Sequence, residues 1–213
     1  MTTSTSGNAS ANAIVLHGSY TSPFVRRVRT ALVRLALPFE LKEVGNLYPP
    51  PDWYVRLNPL GRIPTLVYGN EIPIIDSTFI LDALDDKHGG VWPKELHARW
   101  RDKQLAALAT GAMTDAVAWV VESREKTPRE TTLDFCESAL ERSLRALEDL
   151  IAQRNTRVGA RHKGTQGPVD VAIALDYLAF RLPHLDWREA FPALANHLDS
   201  ARDEEAFAAT APR

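Results

Sequence analysis

Ser22-Pro23-Phe24-Val25-Arg26-Arg27-Val28-Arg29 reads as the opening of a helix. A serine side-chain oxygen can accept from the orphan N–H groups of a first turn. Proline at the first helical position costs nothing there, because the N–H it lacks would have had no partner. Val25, Val28, Ala31, Leu32 and Leu35 continue at helical spacing, with Arg26, Arg27, Arg29 and Arg34 mostly on the other faces. Upstream, Ala13-Ile14-Val15-Leu16-His17 is a short apolar run closed by Gly18 and Ser19, the pattern of a buried strand. Downstream, Pro38 ends the helix and Phe39 to Val44 predicts a second strand.

The stretch from there to Asn58 holds the Pro-rich Tyr48-Pro49-Pro50-Pro51 and shows neither period, so it reads as a connection. Thr65-Leu66-Val67-Tyr68 and Glu71-Ile72-Pro73-Ile74-Ile75 flank Gly69-Asn70, a pair that tolerates positive φ and predicts a two-residue hairpin. Pro73 has no N–H for a ladder, which puts its strand at an edge or in a bulge. Ser77 to Lys87 then predicts a helix stopped by Gly89-Gly90. Beyond Val91-Trp92-Pro93 the pattern is helical: Leu96 to Glu125, Thr132 to Arg154, Val169 to Leu182, and Phe191 to Arg202. The second of these carries Leu133, Cys136, Leu140, Leu144, Leu147 and Ile151 on one stripe. The expected division is a disordered leader over 1–12, an α/β domain over 13–89, a linker over 90–94 and an all-helical domain over 95–213.

Composition narrows the function classes. Of 213 residues, 45% are hydrophobic and 24% charged, as in ordinary globular proteins, and no apolar run approaches membrane-spanning length. A formal net charge of −2 supplies no general drive toward nucleic acid or anionic lipid. The arginines of the first helix read as a solvated face. The single cysteine, Cys136, cannot form an internal disulfide and reads as core, and the opening residues lack the basic and apolar parts of a secretory signal, so a cytoplasmic setting is expected. The six histidines are scattered without zinc-ligand spacing, and no metal is expected.

Taken with Asn58-Pro59-Leu60-Gly61-Arg62-Ile63-Pro64-Thr65-Leu66 and Ile75-Asp76-Ser77, the Ser22 stretch resembles the glutathione-binding half of a glutathione transferase. The resemblance covers nearly the whole chain after the leader. Leu175-Asp176-Tyr177-Leu178-Ala179-Phe180-Arg181 with Asp186-Trp187 and Pro192-Ala193-Leu194 is similar to bacterial members, here of the serine type. It implies a thioredoxin-like N-terminal domain followed by an all-α domain, with glutathione as co-substrate. It further implies that Ser22 holds the glutathione sulfur, that Ile63 before a cis Pro64 pairs with the cysteinyl backbone, and that Asp76 and Ser77 take the γ-glutamyl end. Arg62 is assigned to the glycyl carboxylate, and Phe24 joins the glutathione-binding set. Tyr20 and Thr21 lie in the same loop and are alternative hydroxyls for the sulfur. The chain departs from the family at Gly167, where Ser or Thr usually stands three residues before the aspartate, here Asp170, as a helix cap.

The implied chemistry is ionisation of a thiol. With a pKa near 8.5, only about 3% of a free thiol is thiolate at pH 7. Lowering that pKa by about 2 units takes roughly 2.7 kcal/mol of stabilisation selective for the anion. One charge-assisted hydrogen bond from a hydroxyl contributes about 1.5–3 kcal/mol, and a helix N-terminus adds to it. No cysteine occupies the loop, which argues against disulfide exchange and for attack of the thiolate on a small apolar electrophile. Trp119 and Trp100 read mainly as core, on the helix that in the family lines the electrophile pocket; Asp115 and Glu125 read as structural. The resemblance thus implies a cytoplasmic, homodimeric detoxifying transferase, without nucleic-acid or membrane partners. The alternatives are a transferase-fold regulator similar to the stringent-starvation proteins, and a glutathione-dependent peroxidase or dehalogenase.

Overall fold

The computed structural model describes residues 13–158 and 164–213. The leader expected over 1–12 lies outside the described residues. The chain divides into one unit of Met1–Val91 with Ala209–Arg213 and a second of Trp92–Ala208. The sequence places 209–213 in the helical domain, whereas these residues pack with the first unit.

In the first unit, β1 (Ile14–Gly18) leads to α1 (Pro23–Arg34), β2 (Glu40–Glu43), α2 (Asp52–Leu57), β3 (Thr65–Tyr68) and α3 (Ser77–His88). The strands order as β2-β1-β3, with β1 parallel to β2 and antiparallel to β3. This small mixed sheet with its helices is the thioredoxin-like layout. Ile14, Leu16 and Leu66 from the strands meet Val25, Val28 and Leu32 of α1 and Ile80, Leu81 and Leu84 of α3 in the core. The turn from β1 into α1 is tight enough to require glycine. A Cβ on Gly18 would stand 2.4 Å from Val25 Cγ2.

Three local expectations need correction. The run 71–75 forms no strand: a single antiparallel bridge joins Ile74 to Leu66, through N–H···O bonds of 2.8 and 3.0 Å. Pro73 lacks a ladder N–H, and Glu71, Ile72 and Pro73 stay exposed. The connection before Asn58 contains α2, a helix of 6 residues and therefore too short to show a helical period. The arginines of α1 do not form a solvated face, since Arg26, Arg27 and Arg29 are 3%, 0% and 6% exposed.

The second unit contains α4 (Leu96–Glu122), α5 (Glu130–Val158), α6 (Gln166–Arg181), α7 (Pro192–Arg202) and α8 (Glu205–Ala208). Contrary to the expectation from composition, α4 is long and apolar enough to cross a membrane. Its Leu105, Ala109, Met113 and Ala116 are instead buried, and α4 packs on α5 and α6 as a core helix. On α5, Cys136, Leu140, Leu144, Leu147 and Ile151 are buried along the expected stripe. Trp100 is not core; it is 59% exposed.

The start of α6 explains the departure at Gly167. The helix begins at Gln166, ahead of the expected Val169, and its capping oxygens come from another helix. Asp102 of α4 accepts from the Thr165 hydroxyl through Oδ1 and from the Gly167 N–H at 2.9 Å through Oδ2. A Cβ on Gly167 would lie 2.2 Å from the Asp102 carbonyl oxygen, so glycine is what lets the two helices approach this closely.

Candidate functional site

The sheet register gathers the three sequence motifs. Antiparallel pairing sets His17 of β1 opposite Thr65 of β3. The exit from β1 toward Ser22 and the entry to β3 from Ile63-Pro64 therefore lie at one end of the sheet. The Leu66–Ile74 bridge turns the chain back so that Ile75-Asp76-Ser77 arrives at that same end.

Ser22 is the N-cap of α1 and is half-buried, with φ −77° and ψ 126°. Its Oγ accepts from the Val25 N–H at 3.3 Å, and its carbonyl accepts from the Arg26 N–H at 3.0 Å. An oxygen that accepts from the backbone keeps its own hydrogen to donate. Ser22 thus offers an O–H donor at the positive end of a helix of 12 residues. Thr21 is less available, because its hydroxyl pairs with Ser19 Oγ at 3.0 Å. The Tyr20 ring is covered by Arg29 and Arg213, whose Cζ atoms lie 4.9 and 4.1 Å from its centre.

The bond between Ile63 and Pro64 is cis. Among the described residues, the Ile63 N–H and C=O have no hydrogen-bond partner within the protein. The loop around them is held by buried polar groups that sequence reasoning missed. Tyr54 donates its hydroxyl hydrogen to the Arg62 carbonyl at 2.8 Å, and Asn58 Nδ2 donates to the same carbonyl at 2.6 Å. Thr65 Oγ1 lies 2.9 Å from Tyr54 Oη and accepts from Asn58 Nδ2 at 2.9 Å. Burial drives the Tyr54 phenol pKa upward, with the Thr65 and Asn58 bonds opposing that, so the phenol stays a neutral donor. Asn58 opens the second motif, but nothing in its spacing signals a buried strut.

At the start of α3, Asp76 is the N-cap, and its Oδ1 accepts from Thr78 N–H at 2.8 Å and Phe79 N–H at 3.3 Å. Asp76 is exposed and Ser77 is buried. Behind Ser77 stands Arg27, fully buried, whose Nη1 donates to Ser77 Oγ at 2.9 Å. The Arg27 contact was not anticipated. Its signal in the sequence was an arginine beside the apolar face of a helix whose neighbours were unknown.

The remaining expected residues lie at the margins. The Arg62 side chain is exposed and Phe24 is half-buried beside Ser22. Among the described residues, no group of His, Cys, Asp and Glu is arranged to hold a metal. In the second unit, Trp119 Nε1 donates to Glu137 at 2.9 Å, and its ring lies 4.7 Å from that of His184. Asp115 is partly buried, which raises its carboxyl pKa.

Known proteins resemble this chain in sequence and in fold. Residues 16–92 match the family model for the glutathione S-transferase N-terminal domain. An uncharacterized GST-like protein of Escherichia coli, YibF, is 27% identical over 92% of this chain and 98% of its own length. A glutathione S-transferase of Methylobacillus flagellatus, solved with glutathione bound, is 27% identical with a TM-score of 0.83, covering 94% of this chain and 100% of its own. A glutathione transferase family member from Pseudomonas fluorescens, solved with S-(propanoic acid)-glutathione, is 32% identical with a TM-score of 0.80, covering 94% and 100%.

Proposed function

Because this chain belongs to the glutathione S-transferase superfamily, we propose that it is a serine-type transferase that ionises glutathione on Ser22 and adds the thiolate to a small apolar electrophile. The observation that carries this reading is the Ser22 hydroxyl: it accepts from Val25 and so keeps its hydrogen for the sulfur, at the sheet end where Ile63 and Ser77 also stand. Residues 13–89 supply the tripeptide site and 95–208 the helical domain.

In this reading the glutathione cysteinyl group pairs with the Ile63 N–H and C=O as an added strand. Ser77, through its hydroxyl and its own N–H at the start of α3, takes the γ-glutamyl carboxylate, and Asp76, whose Oδ1 caps the next two N–H groups, takes the ammonium. Arg62 and Phe24 border the tripeptide. The Ser22 O–H and the positive end of α1 stabilise the sulfur anion more than the thiol, and that difference is what lowers its pKa. The thiol proton leaves to solvent, and the thiolate then forms the carbon–sulfur bond as a π bond of the electrophile opens and its electron pair takes up a proton from water. The thioether of glutathione bound by the Pseudomonas relative is the type of product this chemistry yields. The enzyme works as a cytoplasmic homodimer.

The decisive experiment is calorimetric titration with glutathione, followed by ultraviolet absorbance of the bound thiolate across pH in the wild type and in Ser22→Ala. Binding with a depressed thiol pKa that rises in the variant supports catalysis through Ser22. Failure of the wild type to bind glutathione sinks the enzyme reading and leaves a transferase-fold binding protein.

A further inference from the structure

Segment 209–213, which follows α8, packs with the first unit. Thr210 is its anchor, 1% exposed. The Thr210 carbonyl accepts from Arg29 Nη1 at 3.0 Å, and its hydroxyl lies 2.9 Å from Thr30 Oγ1. Arg213 then reaches Tyr20. Its Cζ stands 4.1 Å from the ring centre, and Arg29 Cζ stands 4.9 Å from the same centre.

Two guanidinium groups therefore share one aromatic ring. Each is attracted to the negative face of the ring, while the two cations repel one another. The arrangement holds because each is fixed from elsewhere, Arg29 by α1 and its bond to Thr210, and Arg213 by the buried Thr210 three residues before it. Tyr20 stands two residues before Ser22, in a loop whose internal ties include a 3.2 Å bond from Ser22 N–H to the Ser19 carbonyl, a 3.3 Å bond from Thr21 N–H to Ser19 Oγ and the Ser19–Thr21 hydroxyl pair. Ser22 itself is tied to α1 through the Val25 and Arg26 N–H groups, so the contact with the segment acts on the loop that leads into it.

Building on the reading of Ser22 as the thiolate donor, we infer that Arg213 and Arg29 are positioning residues for the sulfur site. Segment 209–213 is a strap that clamps Tyr20, fixes the loop 19–22 and sets two positive charges beside it. Two residues span at most about 7 Å, and the Tyr20 side chain with the 4.1 and 4.9 Å to each Cζ extends that span, so both charges fall within roughly two Debye lengths of Ser22 at physiological salt. Positive charge at that range favours the thiolate over the thiol and does nothing for an uncharged ligand.

The test uses Arg213, whose side chain is exposed and whose replacement leaves the core intact. In Arg213→Gln the pKa of bound glutathione should rise by about half a unit, a roughly threefold loss in ionisation constant. Arg213→Lys should restore most of it. Raising the salt should shift the wild type more than the Gln variant. Independently of any ligand, hydrogen exchange at the Ser22 amide should speed up several-fold in Arg213→Gln and in Thr210→Val. A wild type that binds glutathione but whose thiol pKa is unmoved in Arg213→Gln overturns the electrostatic role. Unchanged exchange overturns the clamp, whatever the ligand result. A wild type that binds no glutathione removes the thiolate role together with the proposed function, and the exchange data still decide whether the strap holds the loop.

Discussion

Arg27 Nη1 donates to Ser77 Oγ at 2.9 Å, joining α1 to the first residue of α3, and both residues are buried. The helix that begins at Ser22 thus also braces the residue assigned to the γ-glutamyl end. A hydroxyl that accepts from arginine keeps its own hydrogen to give, with a full positive charge behind it.

Arg27→Lys keeps the charge and loses the guanidinium whose Nη1 donates to Ser77 Oγ and lies 3.5 Å from Thr78 Oγ1. Glutathione affinity should fall about tenfold, or ~1.4 kcal/mol. An analogue lacking the γ-glutamyl α-carboxylate should lose far less, because the bond that Ser77 donates is absent from it in both proteins. Calorimetry on the two ligands distinguishes the cases. Equal losses would mean that Arg27 acts through packing alone.

Ser22 has two roles that substitution can separate. Aspartate caps a helix about as well as serine, so Ser22→Asp should keep stability within ~0.5 kcal/mol of the wild type, whereas Ser22→Ala should lose ~1 kcal/mol. Aspartate also sets a carboxylate against the sulfur and has no hydrogen to donate. Conjugation should therefore fall at least ~100-fold in Ser22→Asp, the scale seen when one donor to a developing anion is removed. Retained turnover in that variant would move the donor role to Thr21 or Tyr20.

The parts of this protein that the sequence displays are those set by local chemistry. Ser22-Pro23 marks a helix start, Asp76-Ser77 marks another, and the stripe from Cys136 to Ile151 marks a buried face. All follow from interactions within a few residues. The parts it hides depend on what covers an element. Arg26, Arg27 and Arg29 look solvated on a helical wheel, and they are buried because α3 and segment 209–213 pack on α1 beyond its apolar stripe. Asn58 and Tyr54 carry no pattern, since their partners, the Arg62 carbonyl and Thr65, meet them only in the folded loop. Gly167 looked like a weakened cap because the oxygen that replaces the missing one belongs to Asp102, 65 residues away.

That contact makes Gly167 intolerant of any side chain. Gly167→Ala would place a Cβ 2.2 Å from a backbone oxygen, so the helices must separate. The loss should exceed ~2 kcal/mol, as for other overpacked contacts. Asp102 adds a pH signature. Burial is the main cause that raises its carboxyl pKa, opposed by the bonds from Thr165 and Gly167. A carboxyl whose folded pKa is raised contributes most below its unfolded value and loses that contribution as pH rises through the folded one. The stability advantage of wild type over Asp102→Asn should therefore shrink as pH rises from below 4 toward neutrality. Chemical denaturation of both proteins across that range measures it, and an advantage that grows with pH would contradict the burial-driven shift.

Glu122 behaves in the opposite sense. At the end of α4 its Oε1 accepts from the Arg129 N–H at 2.7 Å and from Nε at 3.1 Å, while Oε2 accepts from Nη2 at 2.8 Å. The Arg129 side chain first, then its backbone N–H, hold the Glu122 carboxyl pKa down to about 2. Pro128 prevents α4 from running on into α5, and this bidentate pair fixes the connection that results. With the folded pKa depressed, the stabilisation is full above the unbonded value of 4.5 and is lost as pH falls through about 2. Near neutral pH, Glu122→Gln should unfold at a lower temperature than the wild type. The gap should narrow as pH drops below 4.5 and close near 2. A gap that stays constant down to that pH would show that the advantage of glutamate over glutamine does not come from its charge, and would contradict an ion pair as what fixes the connection.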